Sequence, residues 1–253
     1  MSIFESHAHY DDRRFDADRD ALLRSLPPNG VSHVVNVGDS MASSKRCISL
    51  AWEYDFVSAA VGVHPHNVKD MAPKDLAALE GMCRLPGVVA VGEIGLDYYY
   101  DNSPREAQRH WFKKQLELAR RVDKPVIIHS RDAARETFDI IKESGARRGV
   151  IHCYSGSAEM ALEYAKLGFY IGVGGVITYK NAKQLRQAAA AVTADRILLE
   201  TDCPYLSPEP KRSERNTSLN LKYVISALAA VLGLTDRQIQ DITERNGMDL
   251  FLM

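Results

Sequence analysis

The feature that most constrains this chain is an alternation: eight short runs rich in β-branched residues, separated by stretches with helical periodicity. The predicted strands are Ile3–Ser6, His33–Val37, Val57–Val63, Val88–Gly92, Val126–His129, Val150–His152, Tyr170–Val173 and Ile197–Glu200. Helices are predicted at Ala17–Leu26, Ser43–Trp52, Lys74–Arg84, Arg105–Val122, Ala133–Ser144, Ala158–Leu167 and Ala182–Ala191, with Leu219–Leu232 and Asp236–Leu250 after the last strand. In the fourth of these, Phe112, Leu116 and Ala119 recur at i, i+4 and i+7, which turns one apolar face toward a sheet. Strands separated by helices pair in parallel through right-handed crossovers. Eight such units predict closure into a (β/α)8 TIM barrel of the α/β class, and residues 1–253 suit one such domain. The rival, an open doubly wound sheet, needs a G-x-G-x-x-G turn after its first strand, which this chain lacks.

Composition adds boundaries to this reading. A chain of this length buries roughly three quarters of its unfolded surface, so folding needs neither disulfides nor a structural metal. The four cysteines, Cys47, Cys83, Cys153 and Cys203, form no C-x-x-C pair, which argues against a zinc ribbon or redox motif. Met1–Phe4 runs straight into Glu5-Ser6-His7, unlike a signal peptide, and no apolar run reaches the ~18–20 residues of a membrane span. The expected home is a reducing cytoplasm, with no membrane partner, and a monomer satisfies every reading here. With a net charge of −1, a polyanionic substrate must be attracted locally, not by the field of the whole molecule.

Chemistry-bearing side chains collect at the C-terminal ends of the predicted strands. The first runs into His7-Ala8-His9, and residues i and i+2 of a strand share a side, so both imidazoles point the same way. Glu93 directly follows the fourth run, where a carboxylate costs free energy to bury unless paired or bound to a cation. The fifth and sixth runs stop at His129 and His152, and the eighth delivers Glu200 and Asp202. Each histidine alone passes as a core residue hydrogen-bonded to backbone. Together, on the face where a barrel carries its active site, they call for metal. Six N and O donors, His7, His9, Glu93, His129, His152 and Asp202, suit two divalent ions with a bridging carboxylate and room for water and substrate. Such mixed donors accept Zn2+, Mn2+ or, held more weakly, Mg2+.

The motifs His7-x-His9, Gly62-Val-His-Pro-His66, Glu93-Ile-Gly-Leu-Asp-Tyr-Tyr99, Pro125-Val-Ile-Ile-His-Ser-Arg-Asp132, Ile151-His-Cys-Tyr-Ser-Gly156 and Leu199-Glu-Thr-Asp-Cys-Pro-Tyr205 span nearly the whole chain. In them the chain resembles the TatD-type metal-dependent deoxyribonucleases, part of the wider amidohydrolase-like barrel superfamily. The resemblance implies a phosphodiesterase with a nucleic acid substrate, acting 3′→5′ on single-stranded DNA with two divalent ions. It implies that His7 and His9 hold one ion and His129 and His152 the other. Glu93 would bridge them, and Asp202 would bind metal while accepting a proton from the attacking water, which makes Asp202 and Glu93 the catalytic pair. Relatives that bridge their metals with a carboxylated lysine need Lys where this chain has Glu93, which disfavours phosphotriesterase-like chemistry. Two departures stand out: Glu5-Ser6-His7 where the family usually has Asp-Thr-His, and Arg215-Asn216-Thr217-Ser218 where it commonly has Arg-Asn-Glu-Pro. The second is expected to affect substrate grip more than metal binding.

Further residues are candidates for substrate contact. His64, at the end of the third strand, is placed to hydrogen-bond a phosphate, with His66 in the following loop. Arg131 offers a bidentate phosphate clamp, or a salt bridge to Asp132 or Asp97. Arg215 lies with Lys211 and Arg212 in the irregular segment Ser207–Asn216, a basic cluster suited to tracking a nucleic acid backbone. Tyr98, Tyr99 and Tyr100 offer either a base-stacking surface or a helix-docking cluster. Cys153 and Cys203 follow proposed ligands and point to the other side of their strands, as small buried hydrophobes. The alternative function is hydrolysis of a small-molecule amide, lactone or ester on the same barrel. A non-catalytic nucleic-acid-binding barrel would need a broken donor set, and none of the six donors is missing.

Overall fold

In the computed structural model, which describes residues 2–252, sheet order follows chain order from β1 to β8. The strands are β1 (Ile3–Ala8), β2 (Val31–Val37), β3 (Val57–Val61), β4 (Val88–Asp97), β5 (Val126–Arg131), β6 (Gly149–Ile151), β7 (Phe169–Val173) and β8 (Ile197–Leu199). Between and after them lie α1 (Arg19–Ser25), α2 (Met41–Glu53), α3 (Pro73–Cys83), α4 (Arg105–Arg121), α5 (Ala134–Ser144), α6 (Ala158–Lys166), α7 (Lys183–Val192), α8 (Leu221–Leu232) and α9 (Asp236–Phe251). This is the predicted (β/α)8 barrel fold. Among the described residues no single helix is long and apolar enough to cross a membrane.

Contacts divide the chain into two compact units. One holds the segments up to Asn36, Cys153–Lys166 and from Tyr170 onward. Within it β1 pairs in parallel with β2, and β7 with β8. Just beyond β8, Cys203 bridges in parallel to Ala8, through Asp202 N–H to His7 O at 3.0 Å and His9 N–H to Cys203 O at 2.8 Å. The first and last strands of the sequence are thereby joined. α9 lies directly on β1: a Cβ at Gly247 would stand 2.5 Å from the Phe4 ring, and Phe251 stacks on that ring with centroids 6.0 Å apart. A capping box starts α9, with Thr235 Oγ1 accepting from Gln238 N at 3.2 Å and Gln238 Oε1 accepting from Thr235 N at 2.9 Å.

The other unit holds Val37–His152 with Leu167–Phe169, and carries β3 to β6, all paired in parallel. The predicted apolar face of α4, Phe112, Leu116 and Ala119, is buried. β4 runs ten residues to Asp97, well past its predicted end at Gly92. Glycines that read as a strand end instead permit close approach to β5. A Cβ at Gly92 would meet Ile127 Cβ at 2.6 Å, and one at Gly95, whose φ is +148°, would meet His129 O at 1.9 Å. β3 is shorter than predicted, ending at Val61. The backbone of Val63 is satisfied by a side chain: its N–H donates to Gln115 Oε1 at 2.8 Å and its O accepts from Gln115 Nε2 at 3.1 Å.

His33, to which no function is assigned, pairs across from Phe4 and stacks on it at 4.9 Å. Burial pushes its pKa down from 6.5 to about 4. The folded state thus holds it neutral where the unfolded chain would protonate it. Its contribution to stability is complete above pH 6.5 and is lost as pH falls toward 4, by at most about 3 kcal/mol. His33→Gln should flatten the acid side of the stability profile, read by denaturant unfolding at several pH values from 7 to 4. An identical pH slope in the variant would contradict this origin.

Candidate metal centre

β1 presents His7 buried, with His9 one residue past its end, and their Nε2 atoms stand 3.1 Å apart. Asp202 brings Oδ1 to 3.2 Å from His9 Nε2 and 3.7 Å from His7 Nε2. The bridge of Ala8 to Cys203 fixes this approach, and Asp202 itself has φ +57°, the left-handed region that a short polar side chain tolerates. One N or O atom from each of the three lies within 4.8 Å of the others. Such a set, largely withdrawn from water, can hold a divalent cation.

Beneath His7, the buried Glu5 carboxylate clips the two ligand-bearing segments together. It accepts hydrogen bonds from Thr201 N at 2.8 Å, Thr201 Oγ1 at 2.6 Å, Ser218 Oγ at 2.9 Å and His7 N at 3.2 Å. Burial outweighs these bonds and pushes its pKa up to about 7.

A second group forms around Glu93, whose backbone N–H bonds Gly38 O at 2.9 Å. Its Oε1 stands 2.9 Å from His129 Nδ1, 3.6 Å from His64 Nε2 and 3.7 Å from His152 Nε2. On its other edge His129 donates from Nε2 to Asp97 Oδ2 at 3.0 Å, an oxygen that His66 Nε2 also reaches at 3.0 Å. Burial opposes ionisation of Asp97, yet the bonds from His129, the Tyr100 amide and His66 outweigh it and hold its carboxyl well below the usual carboxylate range. Burial likewise opposes charge on His129, and its bonds to Asp97 and Glu93 reverse the balance and raise its pKa. For His64 burial dominates and pushes the pKa well down, so the ring is neutral. Glu93, His64 and His129 again place donor atoms within 4.8 Å of one another. Both groups fit divalent metal by donor chemistry.

The sequence model of the TatD related DNase family matches residues 4–252. The chain belongs to this family. The metal-dependent hydrolase YabD of Bacillus subtilis is 39% identical over 251 residues, covering 98% of each chain. A protein named 3′-5′ ssDNA/RNA exonuclease TatD, from a Rahnella species, is 33% identical over 260 residues, covering 99% of this chain and 98% of its own. The crystal structure of YjjV, a TatD homologue of Escherichia coli K12, is similar with a TM-score of 0.94 at 32% identity, covering 99% of this chain and 98% of that one. This TatD-family chain is a metal-dependent hydrolase whose described residues include groups able to bind metal.

Several expectations change with the structure in view. Arg131 makes no salt bridge to Asp97 or Asp132 among the described residues; its guanidinium lies over the rings of Tyr99 and Tyr100 at 4.0 and 4.8 Å. Arg215 is tied to Asp18 by two hydrogen bonds of 2.9 and 2.6 Å and donates to Arg14 O at 2.7 Å. Its neighbours are engaged too, Lys211 with Glu214 at 2.8 Å and Arg212 over the Tyr179 ring at 3.7 Å, so the basic run is paired within its own surroundings. Cys203 is buried as expected, with its thiol pushed up to about 12 by burial, whereas Cys153 is only half-buried. Glu200 serves as an acceptor for Cys153 N at 2.6 Å, lying where a Cβ on Gly172 would be 2.2 Å from its Oε2. Of the two positions that depart from the family pattern in the segment 215–218, Ser218 is buried and donates to Glu5 Oε2 at 2.9 Å, and Thr217 is half-buried.

Asp97 was not singled out as a site residue in its own right. The signal is that Glu93 and Asp97 are four apart in one strand and so share a face. Asp97 orients His129 from the side away from Glu93, the arrangement by which carboxylates fix metal-binding imidazoles. Asp97→Asn should therefore weaken divalent metal binding by about 10- to 100-fold without unfolding the protein. Competition against a chromophoric chelator reads the affinity directly, and an unchanged constant would remove Asp97 from this role.

Proposed function

We propose that residues 1–253 work as one hydrolase barrel that cuts single-stranded DNA from its 3′ end, in a reducing cytoplasm, with two divalent ions of Zn, Mn or Mg. The observation that carries this reading is Glu93, one buried carboxylate whose Oε1 faces three imidazoles within 3.7 Å. The exonuclease name of a relative that matches nearly the full chain supports the substrate class.

In this reading His7 and His9 would hold one ion and His129 and His152 the other, while Glu93 would serve both and Asp202 would complete the donor set. Divalent ions so held supply Lewis-acid charge to a phosphodiester and bring the ionisation of water into the neutral range. Asp202 accepts the proton released by the attacking water; its side chain keeps 16% exposure, so the proton can pass on to solvent. His64 takes a different part. Its Nδ1 accepts from His66 N at 3.1 Å, which leaves the proton of the neutral ring on Nε2. An imidazole in that tautomer can donate from Nε2 to a phosphoryl oxygen. Arg131 presents its N–H edge for a phosphate. Arg215, anchored on Asp18, acts through the loop it holds.

The test is cleavage of a 5′-labelled single-stranded oligonucleotide with Mg2+, Mn2+, Zn2+ or chelator. A metal-dependent ladder shortening from the 3′ end is expected, and Asp202→Asn should lose about 100-fold or more while remaining folded. Near-normal turnover by that variant would remove the assigned role of Asp202. No cleavage with any metal, in protein shown to hold its ions, would turn the assignment to a small-molecule hydrolase.

A further inference from the structure

At the end of β4 the chain turns outward through three consecutive tyrosines, and the structure separates their roles. Tyr98 is held at its hydroxyl, which donates to Glu136 Oε2 at 2.7 Å, and Arg105 covers its ring at 4.3 Å. Tyr99 and Tyr100 are different: they are 58% and 55% exposed. Their rings meet edge to face at 4.9 Å and 89°, and Arg131 lies across both at 4.0 and 4.8 Å. More than half of each of these two side chains is open to solvent, unlike that of Tyr98.

The placement of this pair is tied to the candidate centre. Asp97 Oδ1 accepts from the backbone N–H of Tyr99 at 3.1 Å and of Tyr100 at 2.8 Å, while Oδ2 of the same carboxylate holds His129 and His66. The Tyr100 ring also meets His66 edge to face at 5.4 Å. One carboxylate therefore sets both an imidazole of the centre and the tyrosine turn. An arginine stacked on a ring engages through its face, and its N–H donors lie in the plane of the guanidinium, directed outward. Arg131 has no carboxylate partner among the described residues, so those donors can serve a phosphate.

We propose that Tyr99, Tyr100 and Arg131 form a nucleobase-stacking subsite beside the metal centre, which holds the terminal bases of a single strand while Arg131 meets their phosphates. This rests on the nuclease reading of the centre. Every base has a π-face, so such a surface binds single strands with little regard to sequence. A duplex keeps its bases stacked inward and cannot use it without fraying, so the subsite supplies the preference for single strands.

The test compares steady-state cleavage by the metal-loaded protein of two single-stranded oligonucleotides. One carries bases throughout; the other is abasic at its last three nucleotides on the 3′ side. The Tyr99→Ala/Tyr100→Ala double variant should lose about 5- to 100-fold in kcat/KM on the first, mainly through KM, and change little on the second. Tyr99→Phe/Tyr100→Phe should behave as the unmodified protein, since stacking needs the ring and not the hydroxyl. Metal content and thermal unfolding of each variant show whether the centre is intact. A double alanine variant that cleaves both substrates as the unmodified protein does would overturn the subsite and leave the nuclease reading standing. Absence of cleavage of any oligonucleotide by the unmodified protein would overturn both.

Discussion

Carboxylates withdrawn from water must be neutralised or protonated, and the organisation of this site follows from that requirement. Among the described residues five acidic side chains are buried, Glu5, Asp11, Glu93, Asp97 and Glu200, and those around the site meet the requirement in different ways. Asp97 remains charged because imidazoles and backbone amides converge on it. Glu5 is pushed toward its neutral form and is bonded by hydroxyls, which can accept as well as donate. Glu200 takes the amide of Cys153 at the residue after His152, where the backbone turns into the left-handed region. Glu93 is left among imidazoles, and a cation is the natural complement to that arrangement.

The two departures from the family pattern are physically one feature. Glu5 is longer than aspartate by one methylene and reaches Ser218 Oγ at 2.9 Å, a hydroxyl that the proline common there in the family lacks. Tyr10 reinforces the contact: its hydroxyl donates to Ser218 Oγ at 2.7 Å and accepts from Ser218 N at 3.0 Å. The pair makes a buried connection between β1 and the segment after β8. It bears on how His7 and the segment carrying Asp202 are held.

The alternation of strand and helix was legible because each helix carries an apolar stripe and each strand a β-branched run, and both are local. The histidines and Glu93 stood out in the sequence because each ends or directly follows a β-branched run. Features that depend on distant partners did not. The salt bridge of Arg215 joins residues 197 positions apart, and nothing near either residue announces it. The continuation of β4 to Asp97 was hidden by Gly92 and Gly95, which read locally as breakers and serve in the fold to let β5 approach. With the strand ended early, Asp97 fell into a loop and its alignment with Glu93 went unseen. The tautomer of His64 follows from a hydrogen bond to the amide of His66, a backbone detail that a sequence does not display.

The central proposal is that Glu93 would serve two ions, one held with His7 and His9 and the other with His129 and His152. Loading the protein with Mn2+, counting the metal and recording its electron paramagnetic resonance spectrum tests this most directly. Two ions per chain with an exchange-coupled spectrum are predicted, because ions bridged by one carboxylate lie only about 3.5–4 Å apart. A single ion per chain, or two ions with uncoupled spectra, would contradict the shared centre.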